Sequence, residues 1–357
     1  MKQFLLVLLG LAAWVASAGA QKASSPEPYL WPTDASTHLT STFCEFRPRH
    51  YHAAIDIKTW NKTGYRIFAI DDGYVYRIRI GATGYGKAVY LKLRDGRIVV
   101  YAHLSGFNEP LTRVTDSLRM AARKNRLDWF PRPGQFPVKR GQLLGYTGET
   151  GIGVPHLHFE LRDARNRPIN PLPFYRHTIA DRIPPGVTRL AIIPVCAASA
   201  VQFKPDTLFL NLPVQQTLSL DQPIYLTGRA YLAAQTFDRA DGVNNRLDFY
   251  RASLWANDSL IYQVQYDRFS YQTTRYVEVD KNFSLWRRGL GIFHNFFRHP
   301  ANRLAFYGPT PPGGGLLDAR SLRPGANRLR LEVADFFGNT TTLTLTVVYL
   351  PNRPLRL

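Results

Sequence analysis

Between Tyr65 and Leu104 apolar and polar residues alternate in short runs, "YRIFAIDDGYVYRIRI" and "KAVYLKLRDGRIVVYAHL", and the same period of two returns in "HLHFEL" at 156–161. Alternation enriched in β-branched and aromatic residues is the pattern of half-buried strands. Asp72-Gly73, Gly84-Tyr85-Gly86 and Asp95-Gly96 punctuate these runs, and Asp95-Gly96 between two alternating stretches predicts a hairpin. One stretch changes period: Leu111, Val114, Leu118 and Ala121 or Ala122 follow helical spacing, so a helix is expected inside an insertion of about 105–137. Proline-rich, aperiodic sequence follows Asp163 and ends at Pro184-Pro185, which sets a domain boundary. Beyond it "TLFLNL", "PIYLTGRAYL", "RASLWANDSLIYQVQY" and "TTTLTLTVVYL" alternate at spacings suited to a β-sandwich. The expected fold is mainly β: an antiparallel β-sheet core over 36–183 with one inserted helix, then a C-terminal β-sandwich domain, or pair of small β units, over 187–357.

The first twenty residues follow a different logic. Lys2, an apolar run from Phe4 to Val15 and Ala18-Gly19-Ala20 have the layout of a signal peptide cleaved before Gln21. The apolar run falls short of the ~20 residues of a membrane span. Residues 21–35 read as an extended lead-in. The expectation is an exported chain of the periplasm or cell envelope, or outside the cell, with no integral membrane segment after cleavage. An excess of 45 Lys and Arg over 26 Asp and Glu gives a net charge of +19, a field that favours anionic partners. Export directs that field to an acidic envelope polymer or lipid head group, so nucleic acid is not expected and no protein partner is specified. Arginines scattered through both halves equally fit a compositional bias. Cys44 and Cys196 fall in different expected domains and are not expected to pair.

Candidate chemistry starts at 154–161, "VPHLHFEL". On a strand His156, His158 and Glu160 share one face, and Leu157, Phe159 and Leu161 the other. Residues two apart on a strand are separated by roughly 6–7 Å, so both imidazoles can converge on one small volume. His-x-His alone also fits a structural network or a cupin-type metal site. In "HYHAAID", His52 and Asp56 would stand about 13 Å apart if extended, so a shared ion requires a bend at Ala53-Ala54. His103 in "VVYAHL" falls at a strand end, in phase with Tyr101 and Val99. His50 is read as a spectator and Glu160 as a supporting or structural group.

Taken in order, "HAAID", "YAHL" and "GYTGETGIGVPHLHFEL" resemble the lysostaphin-type, or LytM-type, zinc endopeptidases that cut the peptide part of bacterial peptidoglycan. The resemblance covers about residues 38–172. It implies that His52, Asp56 and His158 bind one Zn²⁺ and that His103 and His156 flank the catalytic water, with the general base open between them. Three N/O ligands leave a fourth zinc position free, as a catalytic site requires. Ala54 and Val154 stand where the family usually has glycine; neither change removes a coordinating atom. The implied function is an exported zinc metalloendopeptidase hydrolysing peptidoglycan peptide stems by a zinc-activated water, the alternative a catalytically silent wall-binding or amidase-regulating module. "VADFFGNTTTLTLTV" is similar to the last hairpin of bacterial immunoglobulin-like modules, which implies an immunoglobulin-like sandwich. His294 and His299 have no partners at metal spacing; "YDRFSYQTTRY" offers tyrosines and arginines suited to stacking on sugars, but reads first as ordinary strand.

Overall fold

Most of the alternating runs of the N-terminal half join one antiparallel sheet in the computed structural model, which describes residues 29–351, while Arg66–Phe68 pairs with Leu143–Tyr146 in a separate three-stranded sheet. The main strands of the larger sheet are β1 (Leu39–Ser41), β2 (Ile55–Lys58), β3 (Gly73–Ile80), β4 (Lys87–Leu93), β5 (Ile98–Ala102), β6 (Leu127–Trp129) and β7 (His156–Arg162). They lie in the order β1-β2-β7-β5-β4-β3-β6, so β7 is central. β4 and β5 pair antiparallel across Asp95-Gly96, as the hairpin signal predicts. Ile55 and Ile57 of β2, Val99 and Tyr101 of β5 and Leu157, Phe159 and Leu161 of β7 enter one core. The signal-peptide reading and the lead-in up to residue 28 fall outside the described residues. From Tyr29 the chain is packed rather than free: its ring stacks on Phe174 at 5.0 Å and its hydroxyl donates to Asp95.

Helix α1 (Leu111–Ala122) occupies the expected insertion, with Leu111 and Thr115 buried. Beyond 186 the strands β8 (Gly186–Pro194), β9 (Leu208–Asn211) and β11 (Ala230–Phe237) join His294–Asn295 in a four-stranded sheet. A six-stranded sheet contains Ala200–Val201, β10 (Thr217–Thr227), β12 (Arg251–Ala256), β13 (Ser259–Gln265), β14 (Gly325–Ala334) and β15 (Thr340–Tyr349). Leu190, Leu232 and Ala234 from the first sheet and Leu226, Leu254, Leu331 and Leu345 from the second share one apolar cluster. This is sandwich packing, with a parallel β10–β15 pair among the antiparallel ones. Cys44 and Cys196 are both free thiols.

One feature of the C-terminal half departs from the sequence reading. Tyr271–Tyr276, read as strand, form a 3₁₀ helix, and short helices follow at Val277–Asp280 and Phe283–Arg287. Ser270 starts the turn by accepting the Gln272 N–H, a local capping bond that alternation does not register. His294, solitary in sequence, is buried: its Nε2 lies 3.0 Å from Asp248, and Lys281 Nζ is 2.5 Å from its Nδ1. Burial pushes His294 below the ordinary imidazole range despite Asp248.

The two halves interlock beneath the candidate site. Residues 46–47 and 50–51 form a small hairpin whose Phe46 and Tyr51, with Phe43, Cys44 and Ala53, belong to the C-terminal apolar cluster. Phe43 lies 5.6 Å from Phe269, Phe46 5.3 Å from Trp286, and Tyr51 5.4 Å from Phe306, ring to ring.

Candidate metal centre

Sheet register supplies half of the site. His158 on β7 is paired with Asp56 on β2 and Ala102 on β5. Paired residues project to the same face, so Asp56 meets His158 on the face opposite the Ile55, Ile57 and Phe159 core. His52 comes from the loop between the small hairpin and β2. The bend required at Ala53-Ala54 is present, and Ala54 is not among the residues with positive φ. The loop is pinned on both flanks: His52 N–H donates to the Glu45 carbonyl, and its own carbonyl accepts the Cys44 N–H.

The three donor atoms form a near-equilateral triangle. His52 Nε2 lies 3.1 Å from Asp56 Oδ1 and 3.3 Å from His158 Nδ1, and His158 Nδ1 lies 3.1 Å from the same Oδ1. A tetrahedral ion with bonds of about 2.0–2.1 Å to N and O would have ligand–ligand edges of about 3.3 Å. The proton inventory agrees. Thr42 O, 2.9 Å from His52 Nδ1, can only accept, so Nδ1 carries the hydrogen and Nε2 presents a bare lone pair to an Asp56 oxygen. Two acceptors turned on each other in a buried spot call for a proton or a cation between them. Burial works against the Asp56 carboxylate, but His52 and His158 outweigh it and hold it well below the usual range. Burial likewise disfavours charge on His158, and Asp56 and Glu160 overcome this, raising it to about 9. A cation here replaces that shared proton, so the residues fit a metal ion with N/O ligands.

His103 and His156 flank the triangle. Their rings are 4.7 Å apart, and His103 lies 5.5 Å from the ring of His158. Each has its Nδ1 against a backbone carbonyl, His103 at 3.0 Å from Thr150 and His156 at 2.8 Å from Val154, which leaves both Nε2 atoms without hydrogen. Burial first, then the neighbouring imidazoles, lowers His103 to about 4; burial also lowers His156, despite Asp56. Strand phase alone assigns His103 the face of Tyr101 and Val99, which is the core, and the structure corrects this. β5 ends at Ala102 and His103 takes φ +66°, a conformation uncommon outside glycine that turns its ring to the histidine face. The carbonyl that holds it depends on two glycine turns in contact: a Cβ on Gly86, itself at φ +59°, would sit 2.2 Å from Thr150 O.

Glu160 lies behind His158, its Oε2 3.6 Å from Nε2, the ring atom facing away from the triangle. It is fully buried and accepts from Arg162 at 2.7 and 3.1 Å, from the Tyr85 hydroxyl at 2.7 Å and from the Tyr271 hydroxyl. Burial opposes its charge, yet Arg162 above all holds it at about 2. Tyr271 belongs to the C-terminal half, as does Thr274, whose hydroxyl accepts the Tyr51 N–H at 2.9 Å. Both residues line a cleft of about 430 Å³ with Arg79, Tyr85, Ile152 and the five site residues. Sequence reasoning missed Tyr85, Arg79, Tyr271 and Thr274; a tyrosine between two turn glycines was the one available signal. His50 is exposed with its Nδ1 on Pro48 O, outside the triangle, and no residue of 105–137 lines the cleft.

Fold and cluster together define a β-sheet domain built around a buried metal-type donor set. No protein-family model matches the chain. Over 123 residues it is 31% identical to DD-carboxypeptidase/endopeptidase Mpg of Neisseria meningitidis, a stretch that is 34% of this chain, and equally to the same-named protein of Neisseria gonorrhoeae. The match spans 22% of those relatives' length. Among solved structures, a zinc containing peptidase from Vibrio cholerae is 24% identical, covering 41% of this chain and 39% of that chain with a TM-score of 0.30. The catalytic domain of lysostaphin from Staphylococcus simulans is 23% identical, covering 38% and 89% with a TM-score of 0.27. Over part of its length the chain is thus similar to peptidases of the lysostaphin, or LytM, type. Among the described residues no helix is long and apolar enough to cross a membrane.

Proposed function

We propose that the chain is an exported zinc endopeptidase that hydrolyses peptide cross-links of bacterial peptidoglycan. The observation that carries this reading is the His52–Asp56–His158 triangle with two basic Nε2 atoms beside it in an open cleft. His52 through Nε2, Asp56 through Oδ1 and His158 through Nδ1 would hold the zinc. Bound zinc supplies a Lewis acid for the scissile carbonyl and lowers the pKa of a water toward ~7. The neutral imidazoles of His103 and His156 act as proton carriers: one Nε2 takes the proton of the attacking water, and an imidazolium returns one to the leaving amine nitrogen. Their Nδ1–H bonds to Thr150 and Val154 keep both rings aimed while they do so. The net charge of +19 favours an acidic wall as the polymer encountered.

The test is metal content together with chemistry on isolated sacculi. The purified protein is expected to carry one zinc and to release new amino termini, and His158→Ala to lose both properties. Bound zinc without any new termini would instead favour the silent, wall-binding alternative.

A further inference from the structure

Arg79 is the cation of the cleft that the chemistry above leaves unused. It projects from β3 two residues after Arg77, and the two are engaged differently. Arg77 holds both oxygens of Asp128, at 2.7 and 2.6 Å. Arg79 makes no ion pair and no side-chain hydrogen bond among the described residues; its guanidinium lies over the Tyr85 ring, 5.9 Å from the centroid. The far contact of that ring is His158, at 5.2 Å, so a single tyrosine separates the guanidinium from the metal-type triangle. The other arginine of the cleft, Arg47, is already held by Glu45 at 3.2 Å. Asp56 is the one carboxylate lining the cleft, and it is committed to the imidazoles.

A half-buried guanidinium has lost part of its hydration, and its fork of N–H donors matches the two oxygens of a carboxylate. The Tyr85 ring beside it supports the cation without satisfying any of its donors. In a cleft proposed to hold peptide, the acceptor that completes it is a carboxylate of the peptide itself. We propose that Arg79 binds a free carboxylate of the substrate close to the bond that is cut, so that the enzyme selects stems bearing an acidic group there over uncharged bridges such as glycine. This deepens the peptidase reading and rests on it.

The test uses the full chain, zinc-loaded, and two synthetic cross-linked stem peptides identical except that a diamino acid beside the scissile bond carries a carboxylate or a carboxamide. A charge-assisted, two-pronged contact predicts kcat/KM roughly ten- to a hundredfold higher for the carboxylate peptide. In Arg79→Gln that ratio is expected to fall to about one, chiefly through KM, because such a contact is made to bound substrate and transition state alike. Arg79→Lys keeps part of it, and Arg113→Gln on the exposed face of α1 keeps all of it. Equal cleavage of both peptides by the wild type, or an undiminished ratio in Arg79→Gln, overturns the proposal. Should the wild type cut neither peptide, the peptidase reading fails on its own, and calorimetric binding of the same peptides decides the role of Arg79. A carboxylate peptide bound roughly tenfold tighter by wild type than by Arg79→Gln supports it, and equal binding overturns it.

Discussion

Glu160 is the residue whose replacement separates support from chemistry most cleanly. Glu160→Gln keeps the volume and one carbonyl oxygen but places an NH₂ among four donors: two from Arg162, one from Tyr85 and one from Tyr271. Arg162, 6% exposed, then keeps its charge with no carboxylate against it. Removing one partner of a buried ion pair costs about 3–5 kcal/mol. At roughly 2 °C per kcal/mol for a chain of this size, the melting temperature should fall by roughly 6–10 °C. His158 loses the carboxylate behind its Nε2, and disturbing such a support typically lowers metal affinity about 10–100-fold. Thermal melts of the metal-free protein give the first quantity, and competition against a chromogenic zinc chelator the second. Adding Arg162→Met should restore part of the lost stability, because the stranded charge is gone. A melting temperature within about 1 °C of wild type, or no recovery in the double variant, would refute the assignment of Glu160 as the buried counter-charge.

Three further outcomes are expected. Gly86→Ala forces a Cβ onto the Thr150 carbonyl that holds His103; turnover of sacculi should drop roughly 10–100-fold while zinc content is kept, and loss of zinc would contradict this. Lys281→Met removes the buried ammonium that Asp248 and Asp280 share in the C-terminal core; a loss of about 3–5 kcal/mol should appear in the denaturant midpoint with an unchanged slope. The third concerns Asp238, which burial, then Asp181 and Asp335, raises to about 9. A carboxyl raised on folding contributes stability below its unfolded value near 4 that is lost as pH climbs toward 9. Asp238→Asn should therefore raise the melting temperature at pH 8 and change it little at pH 4; a lower value at pH 8 would count against it.

The parts of the molecule legible in the sequence are those set by repetition. Alternation located β3, β4, β5 and β7, and it set His156, His158 and Glu160 on the face opposite Leu157 and Phe159, because one pleat governs them all. The bend between His52 and Asp56 was legible too, since an extended chain holds them too far apart. What escaped was decided by single residues or distant ones. His103 leaves the strand phase through one positive φ. Tyr271 and Thr274 reach the cleft from more than a hundred residues downstream, in a 3₁₀ turn with no period to read. Tyr85 and Arg79 acquire meaning only when two glycine turns touch and a neighbouring arginine takes the nearby acid.

The hairpin carrying Phe46 and Tyr51 belongs to the first half by sequence and to the second by packing. A gene fragment stopping at Pro184 would encode a histidine loop whose aromatic residues had lost their hydrophobic bed. A lineage that exchanged the sandwich for another module would have to rebuild seats for Phe43, Phe46 and Tyr51 before His52 returned to its position. Inheritance of this histidine cluster is accordingly tied to a pair of units, and a cut at the proline linker would separate His52 from the residues that seat its loop.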